Sequence, residues 1–80
     1  MLILSRARIA VDAQCNVRVE GLWKRYAGRI EAFVAETGLR GLTVRLRNGR
    51  YVFSNNVDAA TQQRIRNFLV NRCPLKNLDL

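Results

Sequence analysis

Hydrophobic and polar residues alternate most regularly across 41–54, Gly-Leu-Thr-Val-Arg-Leu-Arg-Asn-Gly-Arg-Tyr-Val-Phe-Ser. Alternation of this kind marks a strand with one buried face. Asn48-Gly49 separates two such runs, and Asn and Gly best tolerate the positive φ that both central positions of a type I′ turn require. The pattern predicts a β-hairpin with a two-residue loop, which fixes the register. Arg47 then faces Arg50, Leu46 faces Tyr51, Arg45 faces Val52 and Val44 faces Phe53. Leu42, Val44, Leu46, Tyr51 and Phe53 share the core face; Thr43, Arg45, Arg47, Arg50, Val52 and Ser54 share the other.

The same period opens the chain. Leu2 to Asp12 reads as a first strand, with Ala7, Ile9 and Val11 alternating with Arg6, Arg8, Ala10 and Asp12. Ala13 to Asn16 reads as a turn, and Val17 to Glu20 as a second strand with Val17 and Val19 inward. Gly21 breaks that strand. The period then changes to that of a helix over Leu22 to Thr37, with Leu22, Tyr26, Ile30, Phe33, Val34 and Thr37 on one stripe. Trp23 falls at the rim of the stripe and is expected half-buried. Gly28, unfavourable inside a helix, is read as a site of close backbone approach. Gly38 supplies a left-handed stop.

Leu39 to Gly41 connects to the hairpin, and Asn55 to Val57 is a loop. Asp58 is an N-cap. A second helix runs from Ala59 to about Arg72, with Thr61, Ile65, Phe68, Leu69 and Arg72 or Cys73 inward. Pro74 ends it, and Leu75 to Leu80 is a tail that packs loosely, if at all, through Leu78 and Leu80.

The element order is ββαββα. Each helix has one apolar stripe and each strand one apolar face, so the economical arrangement is a two-layer α+β domain. It comprises a four-stranded, mainly antiparallel sheet with both helices on one face, and all 80 residues form one domain. The strand order stays open, as does whether the first strand also pairs with the second hairpin. This topology sets Cys15 and Cys73 at opposite ends of the sheet, which argues against a disulfide between them and for reduced thiols.

Charge adds a second theme. The formal net charge is +8, and 12 of the 14 cationic residues are arginine, whose planar fork suits phosphate and carboxylate. On the two-layer arrangement, Arg6, Arg8, Arg18, Arg45, Arg47 and Arg50 collect on the helix-free sheet face. A basic sheet can lie on nucleic-acid phosphates. Tyr51 and Phe53 point into the core, and the ribonucleoprotein Lys/Arg-Gly-Phe motif is missing, so the face predicts phosphate contact with little sequence readout. The alternative is a protein-interaction or self-assembly module, in which this face or a sheet edge meets an acidic protein or a second copy in a homodimer. A solvated amphipathic sheet is the third reading.

Catalysis has little support in the sequence. There is no His, which removes the commonest general base and metal ligand. Asp12, Glu20, Glu31, Glu36, Asp58 and Asp79 show no paired spacing, and Ser54 has no base to activate it. No phosphate loop or metal signature occurs, so no cofactor and no metal are expected. Met1-Leu-Ile-Leu4 is too short for a membrane span or an export signal, and the chain is expected to be soluble and cytoplasmic.

Gly49-Arg-Tyr-Val-Phe-Ser54, followed by Gln62-Gln-Arg-Ile-Arg-Asn67, resembles a group of small bacterial proteins that share a hairpin ending in Phe-Ser and a helix with Gln, Arg and Asn near its middle. The resemblance covers roughly the second half of the chain. It implies the same fold and brings no activity or site residue with it. Members of the group often carry a longer hydrophobic N-terminal segment, from which this chain departs.

Overall fold

Asn48 and Gly49 have φ of 50° and 75°, the pair of left-handed residues that closes a two-residue hairpin. The computed structural model, which describes residues 6–75, builds the sheet around this turn. Strand β3 (Leu42–Arg47) and strand β4 (Arg50–Phe53) pair in the expected register, from Arg47 opposite Arg50 to Val44 opposite Phe53.

Strands β1 (Ala7–Val11) and β2 (Val17–Gly21) form the other hairpin. Asp12 lies beyond β1 and organises the connection. Its Oδ1 accepts from the Gln14 and Asn16 amides at 2.8 and 2.9 Å, and its Oδ2 from Asn16 Nδ2 at 2.9 Å. The first strand is thus shorter than Leu2–Asp12, because Asp12 spends its carboxylate on the turn; Leu2 to Ser5 lie outside the described residues.

The strand order is β2-β1-β3-β4, with every neighbouring pair antiparallel. The first strand therefore does pair with both neighbours, and the two hairpins join through β1 and β3. At the far end of β2, Gly21 has φ of 75°. A Cβ there would meet the Arg6 carbonyl oxygen and come within 2.8 Å of Ala7 Cα, so the close backbone approach occurs at Gly21.

The approach expected at Gly28 does not occur. A side chain at that position would meet nothing within 4 Å, and Gly28 is exposed in the first turn of the helix. The helical run is also split into a 3₁₀ segment (Leu22–Tyr26) and helix α1 (Ala27–Thr37), closed by Gly38 with φ of 70°. Trp23 is fully buried rather than at the rim. The reason is that α1 serves two neighbours. Trp23, Ile30 and Val34 are the buried side chains of this segment. Tyr26 and Phe33 turn to the flank, where Tyr26 Oη donates to the Pro74 carbonyl at 2.6 Å and Phe33 stacks on Phe68 with ring centroids 4.1 Å apart.

Helix α2 (Ala59–Arg72) starts at Asp58, whose Oδ1 accepts from the Thr61 amide at 2.8 Å. Ile65 and Leu69 are its buried residues, and Cys73, just past its end, is buried too; Arg72, one of the two readings for the last inward position, is exposed. Val57, read as loop, is buried in the core. Leu75 packs against the core, while Leu78 and Leu80 lie outside the described residues. Both helices cover the face that carries Ala7, Ile9, Val11, Leu42, Val44 and Leu46. The result is a two-layer α+β domain with the other sheet face open.

Candidate functional site

Antiparallel pairing places cross-strand neighbours with Cβ atoms about 4.5–5.5 Å apart. On the open face, Arg8 of β1 sits between Glu20 of β2 and Arg45 of β3, and Arg45 in turn faces Val52 of β4. One row further along, Arg18 faces Ala10, which faces Thr43. At the opposite end, Arg47 faces Arg50. Arg6, just before β1, is exposed, and its amide donates to the Leu46 carbonyl at 2.9 Å. Arg8, Arg18, Arg45, Arg47 and Arg50 are thus brought together by four strands, with Arg6 at the margin.

Glu20 is the acidic residue of the strands within this patch. Its Oε1 lies 3.4 Å from Arg8 Nη1, with both side chains about half exposed. Among the described residues no ion pair reaches Arg18, Arg45, Arg47 or Arg50. Arginines on the helix side behave differently. Arg29 donates to the Arg72 carbonyl at 2.7 Å and lies 5.6 Å over the Tyr26 ring; Arg66 lies 5.5 Å over Phe53. Those guanidinium groups serve the fold, whereas Arg18, Arg45, Arg47 and Arg50 have no ion-pair partner among the described residues.

The face is shallow. An open hollow of about 370 Å³ lies at the β1–β2 end, lined by Arg8, Ala10, Asp12, Asn16, Val17 and Arg18. Asp12 is already held by three hydrogen bonds, which keep its carboxyl below the ordinary carboxylate value, the Asn16 side chain first among them. The apolar gap between sheet and helices is only about 20 Å³, too small for an organic ligand.

Groups with chemical potential elsewhere are engaged structurally. Ser54 Oγ accepts from the Thr43 amide at 3.1 Å and donates to Asn56 Oδ1 at 2.8 Å, while Asn56 Nδ2 donates to the Gly41 carbonyl at 2.6 Å. This chain of bonds latches the end of the β3–β4 hairpin. Cys15 and Cys73 are both free. Burial pushes the Cys73 thiol up against the opposing pull of Arg29 and Arg72, and burial also raises the Tyr51 phenol. Among the described residues no His, Cys, Asp or Glu cluster of three could hold a metal, and no helix is long and apolar enough to cross a membrane.

The residue that the sequence reading did not place in this face is Glu20. Its pairing with Arg8 follows from the β1–β2 register, and the signal was the parity it shares with Arg18. The Arg8–Arg45 neighbourhood had no local signal, because it depends on two strands more than thirty residues apart in the chain. Comparison with family models, with characterised proteins and with solved structures finds no match.

Proposed function

We propose that the chain is a small binding module that lays its arginine-bearing sheet face on nucleic-acid phosphates. The observation that supports this reading is the contrast between the two layers: Arg18, Arg45, Arg47 and Arg50 project from the open face without an ion-pair partner among the described residues, while Arg29 and Arg66 are tied to the fold. Arginine forks match phosphate oxygens, and the net charge of +8 draws a polyanion toward the protein. Tyr51 and Phe53 pack on the core side and offer no stacking platform, so the contacts are to the backbone and carry little sequence preference. A cytoplasmic setting belongs to the same proposal, in keeping with two free thiols. So does kinship with the small bacterial proteins that the second half of the chain resembles.

The test is fluorescence anisotropy with a short labelled duplex and a short single strand, using nuclease-treated protein. With Arg8 held by Glu20, about five arginines are available, which sets the slope of log affinity against log salt near about −4.5 for duplex and about −3.5 for single strand. Replacing Arg45, Arg47 and Arg50 together by Ala leaves about two contacts and a duplex slope near about −1.8. Unchanged affinity and slope in a folded triple variant would exclude this face. The alternative, a protein-interaction module, draws support from the sheet edge at β2, and predicts a shallower slope that saturates at a defined stoichiometry.

A further inference from the structure

We infer that β2 is a pairing edge for a second copy of this chain. The strand is outermost in the sheet, and its sequence, Val-Arg-Val-Glu-Gly, carries one cation and one carboxylate two residues apart. The hydrogen-bonding phase of the edge is fixed by the bonds that bracket the β1–β2 ladder. Asp12 donates to the Asn16 carbonyl at 3.0 Å, and Leu22 donates to the Arg6 carbonyl at 3.0 Å. Antiparallel ladders alternate bonded and non-bonded pairs, so Arg18 and Glu20 turn their backbone groups toward β1. Val17 and Val19 therefore turn theirs outward, and among the described residues no turn, loop or cap bond meets them; Gly21, the N-cap of the 3₁₀ segment, gives its carbonyl to the first bond of that segment.

A two-fold axis through Val19 satisfies this edge. Val19 then pairs with the second copy's Val19 as a bonded pair, and Val17 lies opposite its Gly21 at the end of the strand. Arg18 falls opposite the second copy's Glu20 in the closer, non-bonded pair, and Glu20 opposite its Arg18. The neighbouring symmetric registers fail on charge. An axis through Arg18 sets Arg against Arg, and one through Glu20 sets Glu against Glu. The other sheet edge, β4, reads Arg-Tyr-Val-Phe and has no carboxylate to answer Arg50.

Side-chain burial agrees. Val17 and Val19 are only half-buried on the helix side and would meet their counterparts across the axis. Gly21 is exposed and presents no side chain to obstruct Val17 of the second copy. With the axis perpendicular to the sheet, both helix layers lie on one side. The two arginine faces merge into one surface of eight strands.

The experiment is sedimentation equilibrium at low salt. The wild type is expected at twice the 9.2 kDa chain mass. Arg18→Glu and Glu20→Arg each create like-charge pairs across the axis and are expected to weaken association by on the order of tenfold or more. An equimolar mixture of these two variants restores opposite charges at both pairs and is expected to form a heterodimer. Val19→Pro supplies an independent check, since it deletes the outward amide on the axis and spares the bonds to β1; association is expected to fall similarly. Circular dichroism establishes that each variant is folded. A wild type that stays monomeric up to about 1 mM, the weak end of specific association, overturns the inference. So do folded Arg18→Glu and Val19→Pro variants that dimerise as the wild type does, or a mixture that stays monomeric. These outcomes do not depend on nucleic acid, so they stand apart from the binding test.

Discussion

Replacing Trp23 by Phe and by Ala separates two quantities that the buried indole combines. Its ring is fully buried and stacks on Tyr51 with centroids 5.9 Å apart and planes 18° from parallel. Its Nε1–H has no acceptor among the described residues. Truncation to Ala forfeits packing and leaves a cavity, a loss of about 3–5 kcal/mol for a large aromatic. A core of this size supplies only about 3–5 kcal/mol of net stability, so Trp23→Ala is expected to be largely unfolded at 25 °C. Phe is different. It loses two ring carbons, worth roughly 1.6 kcal/mol at about 0.8 each, but it also removes an unsatisfied N–H that costs about 1–3 kcal/mol to bury. The two terms nearly cancel, and Trp23→Phe is expected within about 1 kcal/mol of the wild type. Urea unfolding followed by far-UV circular dichroism measures both, since the sole tryptophan is gone from the variants. A loss above about 3 kcal/mol in the Phe variant would mean that the indole N–H is bonded in the folded protein. A well-folded Ala variant would mean that Trp23 does not hold the 3₁₀ segment to the sheet.

Two glycines are expected to respond in opposite directions. Gly28→Ala, with open space for the methyl group, should stabilise by about 0.4–1 kcal/mol, whereas Gly21→Ala combines strain at positive φ with a clash on the β1 backbone and should cost more than about 2 kcal/mol. Thermal melts of the two variants check this pair directly. Asp12 and Asp58 both titrate below the ordinary Asp value, Asp12 through the Asn16 side chain and Asp58 through Thr61. A depressed folded pKa gives stability that is complete above the unfolded value near 3.8 and is lost as pH falls through the lower folded value. Melting temperature should therefore drop on acidification below that point, and less steeply in an Asp12→Asn, Asp58→Asn double variant.

Local signals carried much of this architecture. Asn48-Gly49 determined one hairpin and its register, Asp58 and Pro74 bounded α2, and Gly38 closed α1, because each acts within a few residues of where it stands. The sheet faces followed from parity alone, which is why Arg8, Arg18, Arg45, Arg47 and Arg50 were legible as one surface before the strand order was known. The strand order itself rests on β1 meeting β3, a non-local choice with no short-range signature. Trp23 was misplaced for a related reason. A helical stripe shows which residues are apolar, but not that Phe33 would be drawn to Phe68 while Trp23 turned to Tyr51. Gly28 misled because a glycine in a helix reads the same whether it meets a neighbour or open solvent.

The open face is costlier than folding requires. Arg47 opposite Arg50 and Arg8 opposite Arg45 are like-charge cross-strand pairs, each unfavourable by roughly 0.2–1 kcal/mol relative to neutral residues. Glu20 relieves Arg8 alone, at 3.4 Å, and lies on the strand farthest from Arg50. In a domain whose core margin is about 3–5 kcal/mol, two such pairs are an appreciable fraction. Thr, which suits a solvated strand position and already occupies 43 on the same face, would satisfy the fold without that repulsion. An anion lying across β1, β3 and β4 converts the repulsion into attraction, binding the folded chain in preference to the unfolded one and stabilising it by mass action. Pairing through β2 does the complementary work at the one edge where the face carries a carboxylate. It would engage Arg18 and Glu20 and leave the Arg45, Arg47 and Arg50 surface clear, so the two associations would share Arg18 alone and could coexist.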